Sequence, residues 1–231
     1  MGSKDSQPSL STKIEEYLFK VIQEQNLHAG DLIPSEIQTV KDLSISRGIV
    51  RETYKSLATL GLIEIQNGKR PKIKEIDTNG LSLLLKFHTQ SGQISPNQIL
   101  ETLRGIELSC VQLAAVRINK HYKNKLSEIM QNVEENSDNL TIFFTAFSLF
   151  HKLIVKAAQN PLYELFFTAS QSQLDLILNT QFLLLTKKER KKIIKIHKNI
   201  LEAIFDAKPS DAAYAFIEYA DKLKTLLKDY A

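Results

Sequence analysis

Basic side chains recur on one side of a predicted helix near position 50. Arginine is the residue that fits the O6 and N7 atoms of guanine with two parallel hydrogen bonds. The spacing therefore predicts a helix over 46–59 whose outward side contacts DNA, with Arg47 and Arg51 reading bases. The outward residues are Arg47, Gly48, Arg51 and Lys55, at offsets of one, four and eight from the first.

The opposite side of this helix is apolar, as packing on a domain core requires. Gly61 is predicted to end the helix. An alternative role for the two arginines is a surface ion pair with Glu52. The predicted buried stripe consists of Val50, Tyr54, Leu57 and Leu60.

Two serines stand at the starts of predicted helices. Ser35 precedes a helix that ends near Leu43, with Gln38 three residues on as in a capping box, and Ser46 precedes the helix over 46–59. A serine at such a position caps the first turn, or the backbone N–H groups beside it bind a phosphate. Both roles are open for both serines.

A tight hairpin is predicted next. Leu62–Gln66 and Arg70–Ile76 alternate apolar and polar residues around Asn67-Gly68, a pair that favours positive φ at both turn positions. The hairpin tip is expected to enter the minor groove of DNA, with Lys69 and Arg70 beside the phosphates. A plain turn without DNA contact is the alternative.

Three helices followed by a hairpin predict a winged helix-turn-helix. The helices cover 10–25, 35–43 and 46–59, and Ser44-Ile45 forms the turn between the second and the third. Between positions 41 and 74, eight basic residues outnumber three acidic ones, a local charge of +5. Position, rather than the total charge of +4, therefore indicates the nucleic-acid surface.

Composition excludes several classes of protein. The chain has 231 residues, of which 43% are apolar and 24% charged, so it is neither fibrous nor largely disordered. The apolar stretch from Thr141 to Phe150 is shorter than the ~20 residues of a membrane span. A lone cysteine, Cys110, cannot form an internal disulfide. We expect a cytoplasmic protein with no membrane partner.

The rest of the chain is predicted to be helical, which makes the fold mainly α: an N-terminal winged helix-turn-helix followed by an all-α helical bundle. We expect a disordered segment at 1–9, a DNA-binding domain at 10–77, a linker and connecting helix at 78–94 and a helical domain at 95–231. The predicted later helices are Leu81–His88, Pro96–Asn119, Tyr122–Val133, Thr141–Gln159, Pro161–Thr180, Lys187–Asp206 and Pro209–Asp229.

Four motifs carry a resemblance to a known family. They are GDLIPSE at 30–36, SR at 46–47, VRE at 50–52 and LGLI at 60–63. With them, residues 10–76 resemble the GntR family of bacterial transcription factors, and the wing IQNGK resembles that of the FadR branch. That resemblance implies a homodimer bound to a double-stranded DNA operator. This family often carries arginine after the PSE triplet, and Ile37 in its place predicts a different operator.

The helical half resembles the FCD domain of FadR-like regulators, which binds a small-molecule effector and forms dimers. The resemblance is clearest at 100–104, 150–151, 158–161 and His197. The metal-binding kind of FCD domain has an aspartate and three histidines as ligands. In this chain His151 and His197 match, whereas Phe147 and Tyr219 replace the other two.

These substitutions predict an apolar effector pocket without metal or other cofactor, in which Phe143 and Phe150 also take part. Arg104 matches an arginine that projects into the FCD cavity, and a buried guanidinium without a partner suits a carboxylate or phosphate. An ion pair with Glu101 or Glu107 is its alternative role. The predicted effector residues are Arg104, Phe147, His151, His197 and Tyr219.

No constellation of nucleophile and base, paired carboxylates or metal ligands indicates an enzyme. We expect a transcriptional regulator, a repressor rather than an activator, whose DNA binding responds to an acidic metabolite such as a carboxylate or an acyl-CoA. The alternatives are a metal-dependent sensor of organic acids in the same family and a DNA-binding dimer without a ligand.

Overall fold

The computed structural model describes residues 8–182 and 185–226. The chain divides into two compact units, Met1–Gly80 and Leu81–Ala231, here called the winged unit and the helical unit. The predicted mainly α fold is confirmed. The elements are α1 Leu10–Glu24, α2 Glu36–Leu43, α3 Arg47–Thr59, β1 Ile63–Glu64, β2 Lys72–Ile73, α4 Asn79–Gln90, α5 Pro96–Arg117, α6 Lys120–Glu135, α7 Leu140–Ala157, α8 Pro161–Phe182, α9 Lys187–Phe205 and α10 Pro209–Leu226.

The N-terminal segment predicted as disordered lies largely outside the described residues. Within them, Ser9 is ordered as the N-cap of α1, where its hydroxyl accepts a hydrogen bond from the backbone N–H of Thr12. The prediction was wrong at this position because a polar residue before an amphipathic helix serves as its cap. The end of the last predicted helix, from 227 to 229, also lies outside the described residues.

The core of the winged unit forms where α1 and α3 meet. Ile14, Val50 and Tyr54 are fully buried, and Leu57 is nearly so. Leu60, predicted to extend this stripe, is instead 65% exposed. It is the C-cap of α3, and Gly61 follows it at a φ of +77°, so the chain leaves the helix before Leu60 reaches the core.

The hairpin is shorter than predicted and has a different turn. Strands β1 and β2 pair antiparallel over two residues each, Ile63 with Ile73 and Glu64 with Lys72. The Lys69 N–H donates to the Gln66 carbonyl, and of the two turn residues only Gly68 has positive φ, as in a type II turn. Positive φ at both positions was therefore a wrong prediction.

The second edge of β2 pairs with the segment before α2. The Gly30 N–H donates to the Ile73 carbonyl, and the Ile73 N–H donates to the Asp31 carbonyl, each at 2.9 Å. A bridge between Leu32 and Lys72 continues the pairing. Segment 30–33, which carries half of the GDLIPSE motif, thus joins the wing to the start of α2.

In the helical unit, side-chain caps begin the helices that the sequence predicts. Ser95 and Gln98 form a complete capping box before α5, and Thr186 and Glu189 form another before α9. These caps satisfy backbone N–H groups that have no partner inside the helix. The observed boundaries of α5 to α9 accordingly lie within two residues of the predicted ones.

Aromatic and aliphatic side chains from α5 to α10 form the core of the helical unit. Among the described residues, α7 is the one helix that is apolar and long enough to cross a membrane, and half of that window is buried inside the unit. Its inner side contributes Phe143, Phe150 and Ile154 to the core. Cys110 of α5 is fully buried among them, and burial raises the pKa of its thiol to about 12.

Candidate functional site

A buried hydrogen-bonded pair fixes α3 against α2. The Tyr54 hydroxyl donates to the Pro34 carbonyl at 2.8 Å, and the Thr39 hydroxyl therefore donates to the Tyr54 oxygen at 2.7 Å. Both side chains are fully buried, and burial raises the pKa of Tyr54 to about 12. Every polar atom of this contact has a partner, so the outward side of α3 is held in one orientation.

The outward side of α3 exposes all four residues named from the sequence. Arg47, Gly48, Arg51 and Lys55 are exposed. Lys55 forms an ion pair with Glu52, with its Nζ 2.8 Å from Oε1, and this contact lowers the pKa of Glu52. Glu52 is therefore occupied by the lysine. Within residues 8–182 and 185–226 neither arginine forms an ion pair with a carboxylate, and Arg51 acts on Glu52 only through its charge.

Gly48 lies in the first turn of α3 with open space around it. A Cβ atom built on this glycine would meet nothing within 4 Å, and its φ is not positive. Glycine in a helix costs about 0.5–1 kcal/mol relative to alanine, and neither crowding nor backbone conformation requires it here. The position thus leaves α3 without a side chain between Arg47 and Ile49, on the exposed side.

The two cap serines differ in what their hydroxyls do. Ser35 Oγ accepts from the Gln38 N–H at 3.2 Å, so it caps α2. The Gln38 side chain donates to Asp42 instead of completing the predicted capping box. Ser46 occupies the N-cap of α3 without a side-chain cap bond, and it is exposed. Its hydroxyl is therefore available to an outside acceptor.

The tip of the wing is exposed, and one of its two basic residues, Arg70, is hydrogen-bonded within the winged unit. Asn67, Gly68 and Lys69 are exposed. Arg70 Nη2 donates to the Ile33 carbonyl at 3.1 Å, so this arginine fastens the wing to segment 30–33. Ile37 in α2 is 76% exposed, the largest exposure among the large apolar side chains of the described chain.

The helical unit contains a cavity of about 400 Å³ between α5, α7, α8 and α10. Of the residues predicted for the effector, Arg104, Phe147, His151 and Tyr219 line it. His197 does not, because it is fully buried behind His151. Phe143 and Phe150, also predicted for the pocket, belong to the core rather than to the cavity wall.

Arg104 differs from its predicted environment. Its side chain is 38% exposed, and its Nη1 lies 3.0 Å from Oδ1 of Asp221 in α10. The guanidinium is thus neither buried nor without a partner, and the alternative partners Glu101 and Glu107 were also wrong. The partner of Arg104 lies on another helix, α10, and residue spacing within α5 cannot reveal such a contact.

A chain of hydrogen bonds crosses the closed end of the cavity. His197 Nδ1 donates to the Ile193 carbonyl at 2.8 Å, and burial lowers the pKa of His197 well below its ordinary value. Its Nε2 is therefore an acceptor, and His151 Nε2, 3.0 Å away, donates to it. His151 Nδ1 lies 3.1 Å from Glu107 Oε1. The Ile193 carbonyl, His197, His151 and Glu107 thus form one continuous chain of contacts.

Glu107 is the member of this chain that sequence analysis missed as a pocket residue. It is only 9% exposed and lines the cavity. Its position could have been found, since it lies four residues after Leu103 and three before Cys110, on the buried side of α5. An acidic residue on an apolar seam indicates a buried partner.

Two further polar residues missed by sequence analysis, Ser148 and Asp175, meet in the cavity wall. Asp175 Oδ2 accepts from Ser148 Oγ at 3.2 Å, and burial raises the pKa of this carboxyl group. Gln171 donates through its amide nitrogen to Ser148. The side chains that complete the wall are aromatic and aliphatic for the most part, including Phe144, Phe167, Leu174, Phe216 and Leu223.

The donor set does not fit a metal ion. The two histidine Nε2 atoms are hydrogen-bonded to each other, and Phe147 offers no ligand atom. The Tyr219 ring stacks on His151 at 4.7 Å between centroids, and its full burial raises the pKa of the hydroxyl, which keeps it protonated. Among the described residues no group of three His, Cys, Asp or Glu side chains is arranged to hold a metal.

Comparisons with known proteins agree with both units. Residues 10–73 match the family described as bacterial regulatory proteins, gntR family, and residues 98–221 match the FCD domain. The transcriptional regulator YcbG of Bacillus subtilis (strain 168) is 26% identical over 91% of this chain and 87% of its own length. The transcriptional repressor NanR of Enterobacter sp. (strain 638) is 31% identical, over 67% of this chain and 60% of its own.

A fatty acid metabolism regulator protein of Erwinia tasmaniensis is 26% identical over 65% of this chain and 63% of its own length. The solved structure of Streptococcus agalactiae GntR has the same fold, with a TM-score of 0.69 at 19% identity over 94% of this chain and 99% of that one. The FCD match alone covers more than half of the chain. The chain therefore belongs to the gntR family of bacterial regulatory proteins, as a FadR-like transcriptional regulator with a winged helix-turn-helix and an FCD domain.

Proposed function

We propose that two copies of this chain bind a pseudo-palindromic operator through α3, and that a small molecule in the cavity of the helical unit changes that affinity. The observation that carries the proposal is the exposed side of α3, where Arg47 and Arg51 form no ion pair with any acidic residue that the structure describes. Such a regulator acts on DNA in the cytoplasm. It performs no catalysis of its own.

Support for the DNA contact comes from the charges on α3. An arginine paired with a carboxylate must lose that partner before it binds guanine, whereas Arg47 and Arg51 have none. The buried Tyr54 contact holds the helix still, which reduces the entropy lost on binding. Ser46, Asn67 and Lys69 are exposed groups suited to phosphate oxygens, and Gly48 permits close approach of DNA.

A titration of operator DNA, selected from random duplexes by the protein, tests the DNA contact. Arg51→Ala is expected to weaken specific binding by about 1–3 kcal/mol, roughly a 5- to 150-fold change in Kd. Lys55→Ala is the matched control on the same helix and should have a smaller effect, because Glu52 already pairs with the lysine. Equal losses for the two variants would contradict the assignment of Arg51 as a base contact.

The dimer is supported by the symmetry that operators of this type share with the proteins that bind them. Light scattering after size-exclusion chromatography should give a mass near twice 26.2 kDa. A protein that stays monomeric with and without operator would contradict two-copy binding.

The effector role is supported by a cavity whose volume lies in the usual range for small-molecule sites. Coupling of about 1–3 kcal/mol between effector and operator is typical and corresponds to a 5- to 150-fold change in affinity. The acidic effector expected from the sequence loses its main support, because Arg104 is already paired with Asp221.

A native mass spectrum of the purified protein, before and after chelator treatment, separates the alternatives. An organic adduct that chelator does not remove supports the effector proposal. The mass of one metal ion per subunit, lost on chelation, would favour the metal-dependent sensor. The third alternative, a DNA-binding dimer without a ligand, predicts that neither adduct is present. It also predicts that no probe of the cavity changes the operator affinity.

A further inference from the structure

One carboxylate in the cavity wall has no cation to balance it. Asp175 accepts one hydrogen bond, from Ser148, at its Oδ2 atom. No lysine, arginine or histidine of the described chain lies within 4.0 Å of it. Burial raises the pKa of this carboxyl group and outweighs the lowering by Ser148, His151 and Lys152.

The cations that line the cavity are already engaged or lie in water. His151 is bound by Glu107, and Arg104 is bound by Asp221. Lys224 is exposed. Burial increases along the cavity side of α5 from exposed Asn97 to buried Glu107, so the open end lies towards Asn97.

The same wall is rich in aromatic rings and in hydrogen-bond acceptors. Phe147, Phe167, Phe216 and Tyr219 contribute rings. The amide nitrogen of Gln171 is used by Ser148, which leaves its carbonyl oxygen as an acceptor. Aromatic faces attract a cation, and the attraction grows when the site excludes water. A carboxylate removed from water gains most from a positive partner.

We propose that the effector is an organic cation, with a protonated amine or quaternary ammonium group beside Asp175 and an apolar body against the aromatic rings. This inference rests on the proposed function and names the chemical class of its effector. A cavity of about 150 Å³ holds one benzene ring, so 400 Å³ has room for a larger body with its charged group.

Three probes of nearly equal shape test the charge preference: phenethylammonium, phenethyl alcohol and phenylpropanoate. Calorimetric titration of the full chain at neutral pH is expected to give a Kd for the ammonium that is at least about tenfold lower than for the carboxylate. The alcohol should fall between them. Equal or tighter binding of the carboxylate would overturn the inference, whatever any variant does.

Asp175→Asn keeps an acceptor for Ser148 and removes the charge. It should bring the ammonium and carboxylate affinities within about threefold of each other. Asp211→Asn removes the same charge from an exposed position at the start of α10 and is the matched control. A preference that survives in Asp175→Asn would overturn the assignment of Asp175 as the counter-ion.

The neutral alcohol separates this inference from the proposed function. Ala220→Phe fills the cavity and should abolish binding of the alcohol. One outcome is that the alcohol binds, Ala220→Phe removes its binding, and the ammonium binds no more tightly. That outcome would contradict a cationic effector and still support the cavity as the effector site. Binding of none of the probes, together with the absence of an adduct in the native mass spectrum, would contradict both.

Discussion

The two units leave opposite charges without partners, and they do so in opposite surroundings. In the winged unit Arg47 and Arg51 lie in water, where an unpaired charge costs little. In the helical unit Asp175 lies in a cavity wall, where an unpaired charge is costly. The unpaired arginines of the winged unit therefore cost almost no stability before an anion binds, whereas the helical unit gains stability when a cation binds beside Asp175.

Each unit also contains a buried polar contact, and these contacts differ in kind. Thr39, Tyr54 and the Pro34 carbonyl form a contact of uncharged groups. Glu107, His151 and His197 form one that includes a buried histidine, His197, whose pKa is lowered by burial. The first should be insensitive to pH and the second sensitive to it.

The largest effect is expected from removal of Glu107. Glu107→Ala removes the carboxylate that contacts His151 Nδ1, and breaking a buried pair in this way costs about 3–5 kcal/mol. Urea denaturation should show this loss in the unfolding free energy. Glu107→Gln keeps an oxygen for the His151 N–H and should lose less. Equal losses would mean that packing, rather than the hydrogen bond, sets the cost.

The pH dependence of stability tests the histidine chain directly. Because the folded pKa of His197 is lowered, the unfolded chain takes up this proton first as pH falls below about 6.5. Stability from this group is therefore complete above that pH and is lost at up to about 1.4 kcal/mol per pH unit below it. His197→Gln should flatten the profile between about pH 7 and pH 5. A profile for His197→Gln that runs parallel to that of the unsubstituted protein would show that other groups control the pH dependence of stability.

Tyr54→Phe tests the uncharged contact. The variant leaves the buried Thr39 hydroxyl and the Pro34 carbonyl without their partner, at a cost of about 1–3 kcal/mol. Thermal unfolding monitored by circular dichroism measures it. The loss should be the same at pH 7 and at about pH 5, and a loss that depends on pH would erase the difference between the two buried contacts.

Gly48→Ala should separate the stability of α3 from its function. Alanine is expected to raise stability by up to about 1 kcal/mol, because no described atom occupies the space of its Cβ. Operator affinity should fall if DNA approaches at this position. Gly105→Ala in α5, equally uncrowded, is the control and should raise stability alone. Unchanged operator affinity in Gly48→Ala would remove the glycine from the interface.

The smallest effect is expected from Lys69→Ala at the wing tip. A phosphate contact contributes to every sequence alike, so the slope of log Kd against log salt should fall by about 1 with little change in specificity. Lys20→Ala, whose lysine pairs with Glu24 in α1, should leave the slope unchanged. A change in specificity for Lys69→Ala would mean that the wing contacts bases.

Local patterns predicted the winged unit well because its signals are short-range. The helix starts follow caps such as Ser35, and the hairpin follows from Asn67-Gly68. The pairing of segment 30–33 with β2 was missed because the two lie about 40 residues apart in the chain. The bond from Arg70 to Ile33 was missed for the same reason, and a phosphate contact of Arg70 stays a prediction.

The cavity was predicted less completely because it depends on contacts between distant helices. Spacing within α5 does not show that Arg104 meets Asp221 more than one hundred residues later. Likewise, nothing near Asp175 in the sequence shows that α7 places Ser148 beside it. Glu107 is the exception, because an acidic residue within an apolar repeat is a local signal.

The burial of Cys110 makes the alkylation rate of its thiol a measure of how often the helical unit opens. Its thiol has a pKa of about 12 and no access to solvent, so it should resist alkylation while the unit is closed. The rate of labelling then reports how often the helices separate far enough to admit a reagent. A molecule bound in the cavity at 100 times its Kd would slow that rate by about 100-fold if it binds only the closed form. One unmodified residue could thus rank effectors without any knowledge of the operator.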